Sequence, residues 1–117
     1  MAIRTRVLAH QAATVAINAN HLLYTCPAGH TAIVKHWVLT QDSGVTGILA
    51  TGLRRNNLLT WFWTGNPAYS GQPYGPGLCY VVLQPGDELW FRIVVPAGNA
   101  GIMATHVSGS LFAGVAV

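Results

Sequence analysis

Residues 31–40 read Thr-Ala-Ile-Val-Lys-His-Trp-Val-Leu-Thr, and this stretch decides the fold class of the chain. Its β-branched and aromatic side chains favour an extended strand. Side chains alternate between the two faces of a regular strand. The predicted faces are therefore Ile33, Lys35, Trp37 and Leu39 on one side, and Ala32, Val34, His36 and Val38 on the other. Neither face is cleanly polar, so we expect both to be covered.

The rest of the chain also consists of short apolar runs separated by Gly, Pro, Asn and Asp. The sequence contains no long amphipathic helical pattern. We predict strands at about 6–10, 14–18, 22–26, 31–40, 47–50, 58–64, 78–83, 89–95 and 102–108, the last with room to extend to 112. A polar bend is predicted at 52–57 and a long irregular segment at 65–77.

Eight or nine short strands joined by turns are typical of an antiparallel sandwich of two sheets. We predict an all-β fold with jelly-roll-like connectivity, and an immunoglobulin-like strand order is the alternative. A chain of 117 residues fits one domain with one core. Within this single domain, residues 1–117, the first 20 residues are expected to form either an N-terminal arm or edge strands.

The composition is poor in charge: 51% of residues are hydrophobic and 8% are charged. Soluble domains usually contain about 25% charged residues. Either uncharged polar groups cover the surface or an assembly hides much of it, and we favour the assembly. The basic residues are scattered, which does not favour nucleic-acid binding. No apolar run approaches the roughly 20 residues that a spanning helix needs, so no membrane partner is expected.

Few residues suggest enzyme chemistry. The five histidines, His10, His21, His30, His36 and His106, lack the spacing of known metal motifs. Asp87 and Glu88 are adjacent, and neighbouring strand residues point to opposite faces, so they do not form a catalytic pair. Cys26 and Cys79 are expected to be small buried hydrophobes, with a disulfide as the lesser alternative. We therefore expect no enzyme activity, cofactor or metal, and a cupin-like metalloenzyme is the least favoured alternative.

Aromatic residues cluster around the long irregular segment. Trp61 and Trp63 are predicted to share one face of a strand, and Tyr69 and Tyr74 lie in the segment itself. Such residues could form core or a subunit interface, contact a partner protein, or stack on sugar rings, and we rank the interpretations in that order.

Three segments resemble small accessory virion proteins of tailed bacteriophages. Residues 24–35 (Tyr-Thr-Cys-Pro-Ala-Gly-His-Thr-Ala-Ile-Val-Lys) are similar to a recurrent strand–turn–strand of that family, apart from Cys26 where valine is expected. Residues 82–89 (Val-Leu-Gln-Pro-Gly-Asp-Glu-Leu) resemble its hairpin, and residues 107–112 (Val-Ser-Gly-Ser-Leu-Phe) resemble its closing strand. The resemblance spans about residues 22–112.

This resemblance implies a small β-sandwich in the virion, often trimeric, that acts as a minor tail protein or as a decoration protein of the capsid surface. We therefore expect a homotrimer that contacts other virion proteins. The residues expected at the interface are Arg54, Arg55, Trp61, Trp63, Tyr69 and Tyr74. The alternative function is a carbohydrate- or receptor-binding module with a host-surface glycan as partner.

Overall fold

The computed structural model describes the backbone of residues 6–16, 19–42, 48–65, 73–94 and 100–113, and the side chains of residues 6–11, 19–40, 48–65, 75–93 and 105–113. These residues form eight strands and no helix. The strands are β1 (Arg6–Ala16), β2 (Asn20–Thr25), β3 (His30–Asp42), β4 (Ile48–Arg55), β5 (Leu58–Gly65), β6 (Pro73–Leu83), β7 (Glu88–Val94) and β8 (Ala100–Ala113).

The strands form two antiparallel sheets of four strands each. Sheet A has the order β1-β8-β3-β6, and sheet B has the order β2-β7-β4-β5. The first strand pairs with the last, the second with the seventh, the third with the sixth and the fourth with the fifth. This is the connectivity of a jelly roll, as if one long hairpin were wrapped over two sheets. The prediction of an all-β antiparallel sandwich is confirmed, and the strand order is not that of an immunoglobulin domain.

The core lies between the two sheets. Trp37 on sheet A and Phe91 on sheet B are its largest fully buried side chains. The indole Nε1 of Trp37 donates a hydrogen bond of 2.8 Å to Oγ1 of Thr105, which satisfies the one polar atom of the ring. The buried apolar cluster consists of Cys26, Ala32, Val34, Trp37, Leu39, Leu49, Leu83, Leu89, Phe91, Ile93 and Val107.

A β-bulge at Lys35 changes the predicted faces of β3. Val34 pairs with Gly109 of β8, whereas His36 pairs with the next residue, Ser108. The extra residue reverses the alternation, so Val34 and Trp37 both point into the core. The prediction of one unbroken alternation was wrong for this reason. Gly109 is required at the bulge, because a Cβ atom there would lie 1.9 Å from the carbonyl oxygen of Ile33.

A second bulge separates the two tryptophans of β5. Trp63 pairs with Thr51 and Trp61 pairs with Gly52, so Phe62 is the extra residue. Trp63 packs against the core, whereas Trp61 lies over Gly52 on the outer face of sheet B. The prediction that Trp61 and Trp63 share a face was therefore wrong.

Three strands continue through segments that were predicted to interrupt or precede them. β1 pairs with β8 without a break from residue 9 to residue 16, so the two strands predicted within 6–18 are one. β4 continues through the predicted bend at 52–57, which leaves only Asn56 and Asn57 as the turn. β6 begins at Pro73, inside the predicted irregular segment. Proline is tolerated there because β6 is an edge strand, whose outer side needs no N–H donor. Residues 66–72 lie outside the described residues.

Candidate functional site

The turn at residues 26–29 and the turn at residues 84–87, which lie in two of the segments that carry the family resemblance, contact each other. The amide of Cys26 donates to the carbonyl of Asp87, and the amide of Gly86 donates to the carbonyl of Cys26, each at 2.9 Å. The second turn is closed by the amide of Asp87, which donates to the carbonyl of Gln84 at 3.0 Å. Both motifs therefore have a structural role, which is to join the starts of β3 and β7.

Arg55 and Asp87 form a partly buried ion pair beneath these turns. Nε and Nη2 of Arg55 donate to Oδ2 of Asp87 at 2.9 and 2.5 Å, and Nη2 also donates to the carbonyl of Val82 at 3.1 Å. The hydrogen bond to Asp87 raises the pKa of Arg55 above its ordinary value. Since Val82 is on sheet A and Arg55 on sheet B, the guanidinium ties the two sheets together. Arg55 thus has a structural role in the subunit, and its role in an interface stays a prediction.

Arg54 points the other way, to the outer face of sheet B. Its Nε lies 3.9 Å from Oε1 of Glu88, and its guanidinium carbon lies 5.8 Å from the ring centre of Trp90. The indole Nε1 of Trp90 donates to the same Oε1 of Glu88 at 3.2 Å. Glu88 therefore faces away from Asp87, as expected for neighbouring strand residues.

A cavity of about 350 Å³ opens beside Arg54 and Glu88. We call it the turn pocket, and its lining is Arg54, Asn56, Asn57, Gly86 and Glu88. Asn56 and Asn57 form the two-residue connection of the β4–β5 hairpin, with φ values of 53° and 62°. Positive φ at both positions is the signature of a type I′ turn. The pocket is thus held between two tight turns.

A row of apolar residues crosses the outer face of sheet B next to the pocket. Leu22 pairs with Trp90, Trp90 with Gly52, and Gly52 with Trp61. A Cβ atom at position 52 would lie 2.7 Å from Cε3 of Trp61, so only glycine leaves room for that ring. We call Leu22, Trp90, Gly52 and Trp61 the tryptophan row.

The adjacent edges of the two sheets form a different kind of surface. β5 is an edge of sheet B and β6 is an edge of sheet A, and neither strand contains Asp, Glu, Lys or Arg. Among the described side chains, the most exposed large apolar ones are here: Leu78 at 86%, Tyr80 at 72% and Leu58 at 69%. Between the strands runs a groove of about 340 Å³ lined in part by Phe62, Tyr80 and Val81. We call β5 and β6 together the edge strip.

The predicted site residues are spread over these regions. Arg54 and Trp61 lie on the outer face of sheet B, whereas Arg55 and Trp63 contact the interior. The backbone of Tyr74 pairs with Leu39, its side chain is not described, and Tyr69 lies outside the described residues. The six residues therefore do not form one contiguous site in the part of the chain that the structure describes.

Sequence reasoning missed Trp90. A signal for it existed, because the apolar residues Leu89, Phe91 and Ile93 alternate along their strand, and all three are buried in the core. The alternation then puts Trp90 on the opposite, outer face with Glu88 and Arg92. Its partners Gly52 and Trp61 come from other strands, and only strand pairing brings them together.

Among the described residues, the histidines and cysteines do not come together at one site. The rings of His10 and His106 meet edge to face with centres 5.6 Å apart on sheet A, and His21 stacks on Phe91 at 5.2 Å. Among the described residues, no three His, Cys, Asp or Glu side chains are placed to hold one metal ion. Cys26 and Cys79 are free thiols, and burial raises the pKa of both.

No family model matches this chain, and a search of curated proteins finds no relative. Within the described residues, no helix is long and apolar enough to cross a membrane.

Proposed function

We propose that this protein is a structural subunit of a tailed-bacteriophage virion, either a minor tail protein or a capsid decoration protein, which assembles as a homotrimer through the edge strip. The observation that carries the assembly step is the pair of adjacent, uncharged edge strands with Leu58, Leu78 and Tyr80 exposed. The virion location is supported by the sequence resemblance in three segments. The protein acts by burying apolar surface and catalyses no reaction.

Edge strands of monomeric proteins usually carry charges, prolines or bulges that prevent pairing with another chain. β6 has prolines at its start, Pro73 and Pro76, and its pairing with β3 is irregular at residues 75–76 and 79–80. β5 has one bulge and no proline, and neither strand has a charge. An uncharged edge with exposed apolar side chains favours association, because those side chains gain about 25 cal/mol for each Å² that leaves water.

A second copy of the chain is the occupant that fits best. The β5 side of one copy can meet the β6 side of another, because neither strand carries a charge and Arg55, which lines the groove between them, is paired with Asp87. The 11 residues of β6 span about 36 Å. At that length, a contact roughly 20 Å wide approaches the about 800 Å² per partner of a standard interface. If the β5 side of one copy meets the β6 side of the next with a rotation of one third of a turn, the ring closes as a trimer.

The test is the mass of the purified protein in solution. Light scattering after size exclusion at micromolar concentration is expected to give three times the 12.5 kDa of the chain. Leu78→Lys is expected to give a folded monomer, since the Leu78 side chain is 86% exposed in the subunit. Val7→Lys is the matched control, because Val7 is also exposed but lies on β1 at the opposite edge of sheet A.

A monomeric wild type, or equal effects of the two substitutions, would contradict assembly through the edge strip. The virion location has its own test. Gold-labelled antibodies against the protein should decorate purified phage particles at the tail or over the capsid. Unlabelled particles from cells that make the protein would exclude the virion role.

A further inference from the structure

We propose that the turn pocket and the tryptophan row together form a binding site for a neutral oligosaccharide. The site is on the outer face of sheet B. It shares Trp61 of β5 with the edge strip and contains no residue of β6. Its parts are a polar pocket for one sugar unit and an aromatic surface for the next.

The dimensions suit a short glycan. The pocket volume of about 350 Å³ is at the lower end of the range found for small-molecule sites. Asn56 in the pocket and Gly52 in the tryptophan row are four residues apart along one hairpin arm, which corresponds to about 13 Å. Two to three pyranose rings in line cover that distance.

The charge of the pocket favours a neutral ligand. Arg54 and Glu88 supply one positive and one negative group, 3.9 Å apart. A phosphate or sulfate would be repelled by Glu88, and a polyamine would be repelled by Arg54. Vicinal hydroxyl groups are both donors and acceptors, so they can bond to the guanidinium and the carboxylate together. The amides of Asn56 and Asn57 add two further donor–acceptor groups at the rim.

The tryptophan row supplies the apolar contact that sugar rings need. Trp61 is 36% exposed and Leu22 is 45% exposed, and the Trp61 ring packs over the buried Gly52. Trp90 is held in place by its hydrogen bond to Glu88. An exposed indole such as that of Trp61 offers an apolar surface on which the C–H groups of a pyranose can pack.

The second position of the turn carries a side chain, although glycine is the residue favoured there. In type I′ hairpins glycine is strongly favoured at the second position, because φ is positive there. This chain instead has Asn57, with φ of 62°. A side chain is therefore kept at a position that glycine fills more easily, and that side chain lines the pocket.

Amide chemical shifts of the ¹⁵N-labelled protein test the proposal. Neutral trisaccharides of glucose, galactose and N-acetylglucosamine would be titrated to millimolar concentration. With at least one of them, the expected shifts fall on residues 52–57, 61 and 86–90. No shift with any of these sugars, or shifts confined to β6, would overturn the proposal.

Two substitutions separate binding from folding. Asn57→Gly keeps the type I′ turn and removes one amide, so the unfolding midpoint should hold while affinity for the sugar falls about tenfold. Glu88→Gln keeps the shape of the side chain but leaves the positive charge of Arg54 uncompensated. It should therefore weaken binding of the neutral sugar and allow binding of its sulfated analogue. Unchanged affinity in both variants would overturn the site.

Leu78→Lys is the control that distinguishes this inference from the proposed function. It is expected to abolish assembly and to leave sugar binding within about twofold of wild type, because Leu78 is outside the pocket and the row. A trimer that binds none of the sugars would refute the site and leave the assembly proposal standing. A wild-type monomer that binds one of the sugars would refute the assembly proposal and leave the binding site standing.

Discussion

The edge strip and the turn pocket lie on one subunit but have opposite chemistry. The edge strip has no charged residue, whereas both carboxylates whose side chains are described, Asp87 and Glu88, lie at the turns and pair with Arg55 and Arg54. Six basic and three acidic residues are few for 117 residues. Because several of them form local ion pairs at one end of the sandwich, they do not protect the edges of the sheets. The few charges of this chain are therefore distributed unevenly. The edge strip, which has none, is the surface that suits the proposed assembly.

The largest expected effect concerns the charged end. Arg55→Ala leaves the buried carboxylate of Asp87 without its ion-pair partner and removes the link to Val82. Breaking such a pair from one side is costly, and we expect a loss of about 3 kcal/mol in the free energy of unfolding. Urea denaturation followed by tryptophan fluorescence measures it.

Arg54→Ala is the matched control for that substitution. Arg54 makes only a 3.9 Å ion pair and a ring contact on a solvated face, so the expected loss is below about 1 kcal/mol. Equal losses for the two arginines would mean that the Arg55–Asp87 pair has no special structural role, and the contrast between the two regions would weaken.

The next effect concerns the β5 half of the edge strip. Leu58 is 69% exposed, so Leu58→Lys should change the free energy of unfolding of the isolated subunit by less than about 0.5 kcal/mol. If Leu58 is buried between subunits, the same change should weaken association by at least tenfold, since burying a leucine is worth about 1.5–3 kcal/mol. Sedimentation velocity over a dilution series measures both species. A normal trimer from Leu58→Lys, together with a monomer from Leu78→Lys, would restrict the interface to β6.

The smallest expected effect is a loss of stability at alkaline pH. It involves two thiols, one from each of the two regions. Burial raises the pKa of Cys26, beside Asp87, and of Cys79, in the edge strip. In the unfolded chain both thiols ionise at their ordinary pKa, while the folded chain still holds the protons. Stability from this source is therefore complete below the ordinary thiol pKa and falls as the pH rises above it.

Chemical denaturation at neutral pH and at mildly alkaline pH tests this. Cys79→Ala should reduce the difference between the two pH values. Tyr24, whose pKa burial also raises, should contribute in the same direction at higher pH. A free energy of unfolding that stays constant or increases between the two pH values would contradict the raised pKa of these buried groups.

The sequence alone determined the elements that depend on local chemistry. The β-branched run at 31–40, the Pro-Ala-Gly turn after Cys26 and the Pro-Gly-Asp turn at 85–87 all lie where they were predicted. Local propensity, turn residues and the absence of helical periodicity were enough to predict an all-β sandwich. The alternation of Leu89, Phe91 and Ile93 also holds in the structure, where all three are buried, because β7 has no bulge between them.

Only the tertiary structure decided which side chains share a surface. The bulges at Lys35 and Phe62 reverse the alternation of their strands, and each is defined by pairing with another strand, distant β8 for Lys35 and neighbouring β4 for Phe62. The Arg55–Asp87 pair joins residues 32 positions apart, and the tryptophan row is assembled from four strands. A strand fixes the spacing of its own side chains, but its partner strands determine where a bulge falls and which residues become neighbours. The candidate sites of this protein therefore depend on strand pairing, which has no local signal in the sequence.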